Sequence, residues 1–222
     1  MAGMSRHVNR TGEHREILFW LLLLGSWQFL AAQGGRNAAL GAVGTAAFLL
    51  FAGCNLGKLK ALGLANGGWR PATAAGWLVA PSSGLVAGAA VHTIGSASGE
   101  NMMLSSNWRL VVLQLTLGPV LEEVVFRGYL FVLLAWSFRR FATHLVLNWL
   151  VVITAALVFA VVHLAQPGVS WLQLACIAST GTLYGWIRQR SRSTAPAAIA
   201  HAVYNLMLYA AAGVTALRGP SA

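Results

Sequence analysis

The run Leu110-Val-Val-Leu-Gln-Leu-Thr-Leu-Gly-Pro119-Val-Leu-Glu122-Glu123-Val-Val-Phe-Arg127-Gly-Tyr-Leu-Phe-Val-Leu-Leu-Ala-Trp136 places two adjacent glutamates in the middle of an apolar stretch. The rest of the chain has no Asp and only three other acids, Glu13, Glu16 and Glu100. An ionised carboxylate at membrane depth costs from roughly 2.5 to more than 10 kcal/mol. A chain that has otherwise shed its acids yet keeps two at that depth is using them. The surrounding composition agrees. With 57% hydrophobic residues, 9% charged residues and a mean hydropathy of +0.66, it describes an integral membrane protein rather than a soluble domain.

Working outward, hydropathy divides the 222 residues into seven apolar spans, at 17–33, 38–57, 72–95, 108–136, 144–165, 169–188 and 195–214. Each is near the ~20 residues needed to cross ~30 Å of hydrocarbon. The expected fold is therefore an all-α polytopic transmembrane helical bundle, one integral membrane domain over residues 1–222. The third span is the weakest, because Pro81-Ser82-Ser83-Gly84 interrupts it. Gly84 and Gly88 form a small-xxx-small pair suited to close helix packing. Spans five and six are joined by the short, charge-free Ala165-Gln166-Pro167-Gly168.

The net charge of +10 and pI near 11.1 would suggest nucleic acid in a soluble protein. Here the basic residues fall between spans, where they set orientation. With the N-terminus inside, Arg6, Arg10, Arg15, Lys58, Lys60, Arg70, Arg139, Arg140, Arg188, Arg190 and Arg192 are cytoplasmic. Only Arg36, Arg109 and Arg218 fall outside, and Arg127 lies within a span. The lipid bilayer is thus a partner and nucleic acid is not. Cys54 and Cys176 lie far apart in apolar sequence without ligand spacing, as buried thiols do. The first span lacks small residues at the −3 position of either candidate cleavage site, so it reads as an uncleaved helix.

Pro119 removes a backbone donor, so the helix should kink or restart there. At 100° per residue, Glu123 and Arg127 are about 40° apart and form a pair. Glu122 points about 100° from Glu123 and about 140° from Arg127, directed at something else. Two later spans carry polar residues at the same spacing: Phe159 with His163, and His201 with Asn205. No GxSxG elbow is present, and Ser170, Ser179 and Ser191 have no companion base pattern. A carboxylate with histidines converging on a water suits hydrolysis: Glu122 as general base, a histidine sharing the proton, and Asn205 or a histidine donating to the oxyanion. The same residue types suit Zn²⁺ held by Glu122, His163 and His201. No sequence feature supplies the outer partners that ligating histidines need, so the reading taken is water activated by glutamate. His7, His14, His92 and His144 show no partner pattern.

The order EExxxRG, FxxxH, HxxxN on three late spans resembles the CPBP family of CAAX-type prenyl proteases and bacterial Abi-like intramembrane proteases. The likeness runs from about Pro119 to Asn205, within a family-like part at about 108–214. It implies that Glu122 activates water, with Glu123 and Arg127 completing the first motif, Phe159 and His163 the second, and His201 and Asn205 the third. It further implies an endopeptidase acting on a membrane-associated peptide or protein substrate. The short chain looks like a bacterial member of the cytoplasmic membrane. A proton-coupled transporter, in which intramembrane Glu and His form a relay, and a non-enzymatic immunity or scaffold protein are the rival readings. One tension accompanies the site. In seven straight spans His163 lies near the outer end of the fifth, and His201 in the inner half of the seventh. Either the Gln166-Pro167-Gly168 break or the start of the last span must lie deep.

Overall fold

The computed structural model describes residues 74–100, 104, 107–138, 143–164, 166 and 168–218. The spans expected at 17–33 and 38–57, Cys54, Pro167 and most of the orienting basic residues lie outside them. The described residues are helical, without strands: α1 (Ala74–Ser98), α2 (Trp108–Leu115), α3 (Leu117–Glu123), a π-helical segment (Val124–Leu130), α4 (Phe131–Phe138), α5 (His144–His163), α6 (Trp171–Ser191) and α7 (Thr194–Arg218).

Three of these are long and apolar enough to cross a membrane, over Gly76–Ser98, Leu145–His163 and Thr194–Val214. They coincide with three expected spans. Their outward faces are rich in exposed Leu78, Val86, Leu145, Ile153, Leu157 and Val161, which suits contact with lipid chains. The other two expected spans differ. Residues 108–136 form four short elements rather than one helix. Helix α6 has the length at 21 residues, but Gln173, Ser179, Thr180, Thr182 and Gln189 lower its hydropathy.

The break in the fourth expected span comes at Thr116 (φ −122°, ψ −85°), not at Pro119. Proline sits instead in the first turn of α3, where a missing N–H costs no helical bond. The glutamates consequently end α3 rather than begin it. At the break, the Asn205 side chain of α7 donates to the Gln114 carbonyl (2.8 Å). Beyond α3 the backbone widens into the π segment. A slipped ladder exposes carbonyls to outside donors, and Arg188 Nε of α6 reaches the Arg127 carbonyl (3.2 Å). Such π insertions recur at functional sites.

Helix α1 runs unbroken through Pro81. Ser82 Oγ donates to the Leu78 carbonyl (2.9 Å) and Ser83 Oγ to that of Ala80 (2.9 Å), so the serines hydrogen-bond within the turn that the proline disturbs. The glycine pair acts as its spacing suggests. A Cβ on Gly84 would stand 2.3 Å from the Ala200 carbonyl oxygen, and one on Gly88 would stand 2.8 Å from Met207 Cβ. Backbone-to-backbone approach of this kind seats α1 directly against the turn of α7 that carries His201. Gly84→Val should therefore separate α1 from α7, with overpacking of about 1–3 kcal/mol seen as a lower melting temperature in detergent. Gly213→Ala, where nothing lies within 4 Å, should melt no lower than wild type.

Two apolar cores result. One joins Leu121, Val125, Phe126, Leu130, Phe131, Val151, Val152, Ala155 and Phe159. The other joins Ala80, Val91, Cys176, Tyr184, Ile187, Ala197, Ala200, Tyr204 and Leu208. The charged residues of α3 and the π segment meet His201 on the seam between them.

Candidate active site

Buried charge organises the seam. Glu123 and Arg127 are both fully buried, with Arg127 Nη1 donating to Glu123 Oε1 at 3.0 Å. Arg127 Nη2 donates to the Gly181 carbonyl of α6 (2.8 Å). Its guanidinium lies 4.7 Å from the Phe159 ring centroid, 5.5 Å from that of Tyr184 and 6.0 Å from that of Phe126. Aromatic faces stabilise a desolvated cation by ~2 kcal/mol or more. The expected pair is therefore present, and α6 closes round it. A side chain at Gly181 would press on Arg127 Nη2 (3.2 Å), Ala156 and Phe159, which is why α6 presents glycine there.

Glu123 does a second job that the sequence did not disclose. The same Oε1 lies 3.0 Å from His201 Nδ1. A carboxylate already holding an arginine is an acceptor, so Nδ1 carries the hydrogen. On the opposite side of the ring, His201 Nε2 stands 3.8 Å from Glu122 Oε2. His201 thus bridges the two adjacent glutamates. The two acids are not equivalent: the Glu123 side chain is 0% exposed and that of Glu122 11%. Of the two, only Glu122 keeps any exposed surface.

His163 is fixed by its own motif. Its Nδ1 lies 2.7 Å from the Phe159 carbonyl, which can only accept, so Nδ1 again carries the hydrogen and Nε2 faces away. Phe159 packs edge-on against both imidazoles, at 4.6 Å from His163 and 6.0 Å from His201 between ring centroids. The depth tension eases in two ways. Side chains on a helix lean towards its N-terminus, and His163 folds back over the preceding turn. Helix α7 also begins deep within the protein, where Ser193, Thr194, Ala195 and Ala197 are buried. Glu122 lies within electrostatic reach of His163. Asn205 stands one turn beyond His201, with its amide on Gln114.

Sequence reading missed Tyr184. Its ring stacks on His201 at 4.9 Å between centroids and 18° between planes. It also missed the Gly181 carbonyl. Their only signal was Gly181-Thr-Leu-Tyr184-Gly185, two small residues flanking an aromatic in an otherwise apolar helix. Ser170 caps α6, accepting from Gln173 N–H (3.1 Å) and donating to Glu100, which ties α6 to the end of α1. Among the described residues no three His, Cys, Asp or Glu side chains converge as metal ligands.

The fold and site thus define a helical membrane protein with a buried carboxylate–histidine centre. Residues 104–207, just under half of the chain, match the family model described as Rce1-like, type II CAAX prenyl endopeptidase. That segment contains all three motifs and agrees with the CAAX-protease resemblance that they carry. The matched family is one of peptidases, and the three helices long and apolar enough to cross a membrane fit an integral membrane protein. No curated protein and no solved structure matches the chain.

Proposed function

We propose that the protein is an intramembrane endopeptidase in which Glu122 activates water against a peptide bond of a membrane-associated substrate. The observation that supports this most is His201 held between Glu123 and Glu122. The 3.8 Å from Nε2 to Glu122 Oε2 is too long for a direct hydrogen bond, yet one water can touch both atoms. In this reading Glu122 takes a proton from that water as the oxygen adds to the scissile carbonyl. Glu122 then returns the proton to the leaving amine, so the cycle closes without a net change in charge. His201 and His163, both with Nδ1–H engaged, present Nε2 to orient the water. Asn205 uses one amide N–H on Gln114, and its second donates to the oxyanion.

Asn205→Ala should then retain weak turnover, lower by ~10²–10³, the usual cost of one oxyanion donor. A progress curve on purified protein with a prenylated peptide ending in a CAAX sequence measures this. Turnover equal to wild type would remove Asn205 from the chemistry.

For zinc, Glu122, His163 and His201 remain the residues to consider. The outer partners that the sequence left unassigned are supplied by Glu123 and the Phe159 carbonyl, an arrangement familiar around ligating histidines. The proposed chemistry runs through glutamate and water. Elemental analysis of active protein should find zinc well below one per chain, with turnover surviving chelator. Stoichiometric zinc whose removal stops turnover and whose return restores it would reverse that assignment. The same proposal has the N-terminus on the cytoplasmic side of a bacterial membrane, a reading that the distribution of basic residues supports.

A further inference from the structure

We infer that Tyr184 is a positioning residue for the reaction: a flat plate that fixes the plane of the His201 imidazole. The inference rests on the reading of Glu122 and His201 as the hydrolytic centre. One hydrogen bond, from Nδ1 to Glu123, fixes a point on the His201 ring but leaves its tilt open. A second restraint on the face is needed before Nε2 has a defined position opposite Glu122.

Tyr184 supplies that restraint. It is 1% exposed, and its ring lies nearly parallel to the imidazole at 4.9 Å, an offset stack of the kind aromatic pairs favour. Phe159 stands at 87° to the same imidazole, forming the perpendicular wall. Tyr184 is itself held. Tyr204 meets it edge-on at 6.4 Å, and the Arg127 guanidinium lies 5.5 Å from its centroid. Gly185 lets α6 approach closely, since a Cβ there would stand 3.1 Å from Phe131 Cζ and Val152 Cγ1. Among the described residues the Tyr184 hydroxyl has no hydrogen-bond partner. The ring, rather than the hydroxyl, therefore makes the contact with His201. The arrangement explains why a tyrosine outside all three motifs is packed as tightly as the residues within them.

The test compares Tyr184→Phe, Tyr184→Leu and Tyr184→Met in purified full-length protein, each judged folded by a single size-exclusion peak in detergent. Tyr184→Phe keeps the plate and should retain kcat within about threefold. The two non-planar variants should lose kcat by on the order of 10²-fold at unchanged KM, the scale of a ~1 Å misplacement. A second readout needs no protease activity: the rate at which diethyl pyrocarbonate acylates His201, followed by mass spectrometry. It should match wild type in Tyr184→Phe and rise several-fold in Tyr184→Leu and Tyr184→Met. Wild-type kcat and unchanged His201 reactivity in a folded non-planar variant would overturn the proposal. So would equal losses in Tyr184→Phe and Tyr184→Leu, which would assign the effect to the hydroxyl. Altered His201 reactivity in a protein that cleaves nothing would uphold the plate and reject the peptidase reading instead.

Discussion

Glu122→Gln is expected to abolish peptide cleavage while leaving the protein folded. General-base catalysis by a placed side chain contributes ~10²–10⁴ in rate. With no other exposed carboxylate at the site among the described residues, little should substitute for it. The change removes one charge from a side chain that still has some exposure, and it leaves the Glu123–Arg127 pair intact. The melting temperature in detergent should accordingly stay close to wild type. Residual turnover above about one per cent, on the scale of that catalytic contribution, would assign the base elsewhere.

Glu123→Gln and Arg127→Met should fail differently. Each leaves one fully buried charge without its counter-ion, a loss of about 3–5 kcal/mol. Glu123→Gln also weakens the acceptor that holds His201 and Arg127 on a single oxygen. Arg127→Met takes away the donor that joins the π segment to α6 through Gly181. Both should therefore reduce the yield of folded protein before any activity is measured. Whatever folded Glu123→Gln is recovered should be slow as well, because His201 has lost its anchor. Size exclusion and thermal melting in detergent separate this pattern from that of Glu122→Gln. A well-folded, fully stable Glu123→Gln with no activity would exchange the roles of the two acids.

The Glu123–Arg127 pair was legible in the sequence because it is local. Residues four apart share a helix face, so Glu123 and Arg127 had to meet and Glu122 had to point elsewhere. The same logic linked Phe159 with His163, and the structure adds that the link is a hydrogen bond to the Phe159 carbonyl. Gly84 and Gly88 offered close helix packing by their spacing, and the structure supplies the partner, α7.

What the sequence could not disclose depends on which helices face each other. His201 reaches Glu123 across 78 residues, and Tyr184 reaches His201 from a different helix. Neither contact leaves a periodic trace. The break at Thr116 was misplaced to Pro119 because proline is the obvious interruption, whereas a proline in the first turn is compatible with a helix. Hydropathy also merged α2, α3, the π segment and α4 into one span, since apolar composition does not record how the backbone winds. The departure from regular α-helix falls next to the glutamates, where function most often distorts a helix.

In the proposed mechanism Glu122 activates the water that cuts peptide bonds of membrane-associated proteins. The most direct test is to compare protein termini in a deletion strain complemented with either wild type or Glu122→Gln at equal expression. A set of membrane or secreted proteins should show new termini with wild type and lack them with Glu122→Gln. Identical termini in the two strains, with both proteins folded and in the membrane, would contradict it.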